Sequence, residues 1–186
     1  MLHVPNMLLI GAAGRDAGKT VFACELVRRF HHLPVLAVKA TVIQERGGDC
    51  PRGGAGCGVC AALDDAWRLT EETCQDGPKD TQRLLAAGAE RVFWLRVLKA
   101  HLEAGARALL DRLGPGMPFI CESNSLRLAV EPGLFLLVRH ADNDAVKESA
   151  RTVRRYADAE ICSDGRSFDF DFERVAWTGT RWRLRP

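Results

Sequence analysis

A glycine-rich segment near the N-terminus has the residue types and spacing of a phosphate-binding loop. Residues 11–20 read Gly-Ala-Ala-Gly-Arg-Asp-Ala-Gly-Lys-Thr. The common pattern is Gly-x-x-x-x-Gly-Lys-Ser/Thr, and only its first glycine is replaced here, by Ala13. Glycines let backbone N–H groups curl around an anion, and the N-terminus of a following helix adds partial positive charge. The segment therefore predicts a nucleoside triphosphate site formed by Gly14, Arg15, Ala17, Gly18, Lys19, Thr20 and Val21.

Three side chains in and beyond this segment have predicted catalytic roles. Lys19 would contact the β- and γ-phosphates, and the hydroxyl of Thr20 would ligate Mg²⁺. Asp16 would orient water, although Asp also suits tight turns for local reasons. Glu122 ends an apolar stretch, where a carboxylate can hold Mg²⁺ or act as a general base; the alternative is an exposed acid at a strand end. We predict Lys19, Asp16 and Glu122 as catalytic residues and Thr20 and Glu122 as the magnesium ligands.

Apolar runs alternate with stretches of helical spacing along the chain. This alternation predicts a single α/β domain over residues 1–186, with a mainly parallel sheet flanked by helices. Residues 65–69 have helical character, and a β-hairpin is predicted to turn near Gly179. A cysteine-bearing insertion is predicted at about 43–78. Strands are predicted at 7–10, 34–42, 91–96, 118–122, 133–139 and 159–162, and helices at 21–30, 80–88, 97–113 and 144–156.

The carboxyl ends of the predicted strands should form the ligand-binding rim. Ligands of open parallel sheets bind at that edge, so the loop, Lys39 and Glu122 are expected to lie together. Lys39 ends an apolar strand, where a lysine is costly to bury unless it meets an anion. It would contact substrate or phosphate, or its head would reach water. The basic residues of the helix at 144–156, which include Lys147, are expected to form a solvated face.

Four of the seven cysteines form a candidate metal site. Cys50, Cys57 and Cys60 are spaced Cys-x₆-Cys-x₂-Cys among glycines, and Cys74 follows. Four thiolates bind tetrahedral Zn²⁺ or an iron–sulfur cluster, and we favour [4Fe–4S] over Zn²⁺. The alternatives are a cluster shared by two protomers through Cys57 and Cys60, and free thiols.

Composition narrows the classes of function. The chain has 186 residues, 47% of them hydrophobic, and a formal net charge of +2. Such a balanced charge argues against a dedicated nucleic-acid binder. No apolar run approaches the ~20 residues of a membrane span, and the N-terminus lacks the pattern of a signal peptide. We therefore expect a cytoplasmic protein with neither nucleic acid nor membrane as a partner.

Two short stretches of the sequence, together with the phosphate loop, resemble those of a known protein family. These are Val38-Lys39 and residues 79–89, which begin Lys-Asp-Thr and end Ala-Gly-Ala. Over roughly residues 6–140 the chain resembles the MobB family of P-loop proteins, which is associated with molybdopterin-guanine dinucleotide biosynthesis. It is also similar to dethiobiotin synthetase-like and MinD-like P-loop proteins, which commonly dimerise across the nucleotide face. The family usually has Glu-Gly where this chain has Glu122-Ser123, which implies a relative with a different client.

Three functions follow from the residues and the resemblance. The first is a nucleoside triphosphatase, using Mg-ATP or GTP, that assists assembly or insertion of a molybdenum cofactor-like or iron–sulfur-linked cofactor. It would act as a homodimer on a metalloenzyme client. The second is an ATP-dependent small-molecule ligase or kinase of dethiobiotin synthetase type, with Lys39 contacting the acceptor. The third is a nucleotide- and redox-responsive adaptor that binds a metalloenzyme without hydrolysis. The chain lacks Asn-Lys-x-Asp, the usual guanine-selecting pattern, which removes one argument for GTP.

Overall fold

A large, mostly parallel sheet organises the computed structural model, which describes residues 1–44, 63, 65–143 and 145–186. The described sheet has eight strands, which are β1 (Leu2–Ala12), β2 (Leu36–Ile43), β3 (Trp67–Glu72), β4 (Val92–Leu98), β5 (Phe119–Glu122), β6 (Val130–His140), β7 (Ala159–Ser163) and β8 (Phe168–Asp169). They are ordered β3-β4-β2-β5-β1-β6-β7-β8. The six central strands are parallel, whereas β3 and β8 pair antiparallel at the two edges. Strand β1 therefore lies in the interior of the sheet, between β5 and β6.

Helices cover both faces of this sheet. They are α1 (Lys19–Arg29), α2 (Asp80–Ala86), α3 (Leu102–Leu113) and α4 (Glu148–Arg151), and short 3₁₀ helices lie at Lys99–His101, Ser125–Leu128, Arg154–Tyr156 and Phe172–Arg174. Alternate residues of β1 point to opposite faces, so Leu8 belongs to the core under α1 and Leu9 to the core under α3. Burial on both faces explains why the central strands read as continuous apolar runs. None of the described helices has the length and hydrophobicity needed to cross a membrane.

The C-terminal segment is part of the core under α1. Strands β9 (Val175–Trp177) and β10 (Trp182–Leu184) form the predicted antiparallel hairpin. The fully buried ring of Trp182 contacts Phe30 at a centroid distance of 4.7 Å, and its Nε1 donates a hydrogen bond to the carbonyl of Asn6 at 3.0 Å. Three further phenylalanines surround Phe22 of α1, namely Phe168, Phe170 and Phe172. This packing fixes α1, and with it the preceding loop, against the sheet.

Most predicted elements are confirmed, and three differ. The helix predicted at 97–113 begins only at Leu102, because Val97 and Leu98 extend β4 by pairing with β2. The helical interpretation of residues 65–69 is wrong, because residues 67–72 form edge strand β3. No residue of β3 is fully buried, so its hydrophobic periodicity is weak. The helix predicted at 144–156 is shortened to α4 and one 3₁₀ turn. It starts late because the backbone N–H of Lys147 donates to the carbonyl of Ala13 at 2.8 Å, which ties this part of the chain to the loop after β1.

Candidate functional site

A polar cleft of about 500 Å³ opens where the parallel strands end. The loop after β1 forms one wall, and residues 40–42 of β2 with the start of α2 form another. The segment after β5 and the segment before α4 complete the boundary. The side chains among its lining that carry polar or charged groups are Asp16, Lys19, Thr20, Thr41, Asp80, Arg83, Ser123, Asn124, Ser125, Lys147 and Ser149. The carboxyl rim therefore carries a polar concavity, at the edge where open parallel sheets bind ligands.

The loop between β1 and α1 turns its backbone donors toward this cleft. Gly18 caps α1 with φ of +79°, and Asp16 also has positive φ, at +55°. A Cβ atom on residue 18 would meet the Ser163 hydroxyl at 3.1 Å, so both conformation and space favour glycine there. Within the described residues, the backbone N–H groups of Gly18, Lys19 and Thr20 have no hydrogen-bond acceptor. These donors and the positive end of α1 suit an anion.

Two side chains from other elements hold the loop in place. The amide of Asn124 accepts a hydrogen bond from the Ala12 N–H at 2.7 Å and donates to the Ala12 carbonyl at 2.9 Å. The ammonium of Lys147 donates to the carbonyl of Gly14 at 2.8 Å. Asn124 was not among the predicted site residues. Lys147 is exposed, as predicted for a solvated face, and its ammonium additionally contacts the loop. The position of Asn124 two residues after Glu122, at a strand end, was the only local signal for it.

Lys19 and Thr20, which line the cleft, both contact the buried side chain of Glu122. The Thr20 hydroxyl donates to Glu122 Oε2 at 3.2 Å, and Lys19 Nζ lies 3.9 Å from the same oxygen. The Glu122 side chain has no solvent exposure, and its Oε1 has no hydrogen-bond partner among the described residues. A buried carboxylate oxygen without a partner is costly. A cation, or the water of a hydrated cation, would satisfy it, and a hydroxyl beside a carboxylate fits the oxygen ligands that Mg²⁺ prefers.

Lys39 lies next to this group but has a protein partner. In the register of β2 and β5, Lys39 is the neighbour of Glu122. Its ammonium forms an ion pair with Asp80, at the first turn of α2. Asp80 lines the cleft together with Arg83. Strand β2 continues to Ile43, so Lys39 does not end the strand as predicted, because residues 40–43 also pair with β4. Lys39 is not among the residues that line the cleft, and its role as a direct ligand contact stays a prediction.

The predicted cysteine site falls mostly outside the described residues. Cys50, Cys57 and Cys60 are not described, and Cys74 is exposed, with its thiol donating to the Asp76 carbonyl at 3.2 Å. In the described part of the chain, no three His, Cys, Asp or Glu side chains form a metal-binding group. Burial raises the pKa of two other thiols, of Cys24 and Cys121.

Comparisons with known proteins add no identification. No protein-family model matches this chain, and neither a curated protein nor a solved structure matches it. The resemblance to the MobB family stays a prediction, and the geometry of the cleft carries the assignment of function.

Proposed function

We propose that this protein binds a nucleoside triphosphate with Mg²⁺ in the cleft and hydrolyses it. The observation that carries the proposal is the contact between Thr20 and the buried Glu122, next to backbone N–H groups at the start of α1 for which the described part of the chain offers no acceptor. One wall of the cleft thus offers donors for an anion, and the Thr20 hydroxyl with the buried Glu122 carboxylate beside it offers oxygen ligands for a cation. A magnesium–triphosphate complex needs both.

Each residue then has a defined task. The N–H groups of Gly18, Lys19 and Thr20 would bind phosphate oxygens, and the Lys19 ammonium would contact the β- and γ-phosphates. Thr20 and Glu122 would hold Mg²⁺, directly or through its water. Mg²⁺, when bound with the nucleotide, neutralises charge on the phosphate oxygens. Asp16 lines the cleft as an exposed carboxylate and would orient the attacking water.

The biological setting follows from the resemblance and the cysteines. We infer a role as an accessory factor that uses Mg-ATP during assembly or insertion of a metal cofactor. The client would be a metalloenzyme, and the protein would work as a homodimer. A cluster or Zn²⁺ held by Cys50, Cys57, Cys60 and Cys74 would link the nucleotide state to the metal. Iron, sulfide and zinc analysis of anaerobically purified protein tests this part, and protein without stoichiometric metal would contradict it.

The nucleotide site is tested with Lys19→Ala. We expect wild-type protein to bind Mg-ATP and to release phosphate, and Lys19→Ala to bind it roughly 10- to 100-fold more weakly, as expected for loss of hydrogen bonds to charged groups. Lys99→Ala is the matched control, because Lys99 is exposed in a 3₁₀ helix and does not line the cleft. Unchanged affinity in Lys19→Ala would contradict the proposal. Tight binding without phosphate release would favour the non-hydrolysing adaptor.

A further inference from the structure

Arg96 is a buried cation that the proposed nucleotide site does not use. It lies in β4, and only 7% of its surface is exposed. Its guanidinium stacks on the ring of Trp94, 4.5 Å from the centroid. Its Nε has no hydrogen-bond partner, and among the described residues no carboxylate pairs with Arg96. Buried charges are ordinarily paired, so this arrangement calls for an anion.

The surroundings of Arg96 increase the need for negative charge. Arg68 of β3 is its direct cross-strand neighbour in the antiparallel register. Like charges in that position repel each other. Burial and the nearby Arg68 both lower the pKa of Arg96. Without a bound anion, the repulsion between Arg68 and Arg96 is unfavourable. An anion between or beside the two guanidinium groups would offset this repulsion.

Arg96 adjoins the cleft through Thr41. Thr41 lines the cleft and is the register neighbour of Arg96 across β2 and β4. The indole of Trp94, on which Arg96 stacks, donates a hydrogen bond to the Thr41 hydroxyl at 3.0 Å. Neither Arg96 nor Arg68 lines the described cleft, so a ligand that contacts Arg96 would extend from the β2 edge of the cleft past Thr41.

A second buried arginine shows what a purely structural arrangement looks like. Arg127 is 8% exposed and stacks on Tyr156 at 4.3 Å, and its Nε also lacks a partner. However, its Nη1 donates to the carbonyl of Val130 at 3.0 Å, which fixes the end of a 3₁₀ helix to β6. Arg96 resembles Arg127 in burial and stacking but makes no such backbone bond in the described chain.

We propose that Arg96, with Arg68 beside it, binds the phosphate or carboxylate group of a second small molecule that occupies the cleft together with the nucleotide. This inference rests on the proposed function, because the nucleotide would fill the α1 side of the same cleft. A planar guanidinium held by an aromatic ring suits an oxyanion, since its fork donates two parallel hydrogen bonds.

The test measures anion binding in two backgrounds. Inorganic phosphate and succinate are titrated calorimetrically into the full chain saturated with Mg²⁺ and a non-hydrolysable ATP analogue. Both are also titrated into Lys19→Ala protein without nucleotide, where the loop site is weakened. We expect saturable binding of at least one probe, which Arg96→Met weakens about tenfold or more. Arg127→Met is the matched control and should change the affinity less than about twofold. Arg96→Lys keeps the charge but loses the fork, so its affinity should be intermediate.

The outcomes separate this inference from the nucleotide site. Preference for succinate identifies a carboxylate ligand, and preference for phosphate identifies a phosphorylated one. Wild-type affinity in Arg96→Met, or no saturable binding of either probe to the unsubstituted site, would overturn the inference. Failure of wild-type protein to bind the ATP analogue would contradict the proposed function alone, because the Lys19→Ala arm reports on Arg96 without nucleotide. Circular dichroism checks that Arg96→Met is folded, which we expect because removal of an unpaired buried charge is tolerated.

Discussion

Replacement of Glu122 by Gln should stabilise the nucleotide-free protein and weaken its magnesium-dependent binding of nucleotide. The Glu122 carboxylate is fully buried, and its Oε1 lacks a partner among the described residues. Its Oε2 accepts a hydrogen bond from Thr20 at 3.2 Å and lies 3.9 Å from Lys19 Nζ. Glutamine keeps the shape and one acceptor oxygen but removes the charge. The substitution therefore separates the cost of burying this charge from its use in binding a cation.

The expected magnitudes follow from these contacts. A buried charged group with an unpartnered oxygen costs about 1–3 kcal/mol or more, and Gln, whose amide still leaves one buried polar atom unpartnered, removes at most about that much by removing the charge. The ion pair that Gln would abolish is long and its lysine is partly exposed, so its loss costs about 0–1 kcal/mol. The net gain in the free energy of unfolding is then about 0–3 kcal/mol, which raises the melting temperature by about 0–12 °C for a chain of this length. Affinity for Mg-ATP should fall roughly tenfold or more, because the charged ligand near the cation is lost.

Thermal unfolding followed by circular dichroism, with and without Mg-ATP, measures both effects. Ligand binding to the folded state raises the melting temperature, so the Mg-ATP increment should be smaller in Glu122→Gln than in wild type. Glu103→Gln is the control, because Glu103 is exposed and pairs with Arg107 four residues away, outside the cleft. The reasoning is refuted if Glu122→Gln melts at a lower temperature than wild type without nucleotide and keeps the full Mg-ATP increment. Glu122 would then be a structural partner of Thr20 and Lys19.

Three further predictions concern the loop, the core and the cysteines. Gly18→Ala should lower the free energy of unfolding by about 1–2 kcal/mol in urea, because φ is +79° at this position; an unchanged midpoint would contradict the loop geometry. Trp182→Ala should lower it by about 3–5 kcal/mol, since the ring is fully buried. Burial raises the pKa of the Cys24 and Cys121 thiols. Both should therefore resist iodoacetamide at pH 8 while exposed Cys74 reacts, as peptide mass mapping would show; alkylation of folded Cys121 would count against its burial.

The central part of the fold was predictable because its strands are buried on both faces. Continuous apolar runs such as that of β1 have no alternative explanation in a chain of this size, and the glycine-rich loop marks where the first strand ends. Edge strand β3 was not predictable in the same way. Trp67 and Arg68 are exposed there, so the alternation that identifies a half-buried strand is absent, and pairing with β4 decides the conformation.

Residues of the cleft could be predicted only where a local sequence pattern marks them. Lys19, Thr20 and Glu122 have such signals, in a loop motif and at a strand end. Asn124 and Lys147 act on the loop from 112 and 133 residues away along the chain, and no local pattern reports a contact of that separation. Arg96 was also not predictable, because its lack of a paired carboxylate among the described residues is a property of the folded chain and not of the local sequence.

In the ligand-free protein, lysines and carboxylates at the cleft neutralise one another. Glu122 lies near Lys19, and Asp80 pairs with Lys39, so each of these two lysines has a carboxylate within reach. A cation bound beside Glu122 would weaken its attraction for Lys19 and leave that ammonium available to an anion. Conversely, an anion on Lys19 would leave Glu122 to the cation. The two halves of a magnesium–nucleotide complex would therefore favour each other's binding, because Lys19 and Glu122 partly neutralise one another only until both ligands arrive.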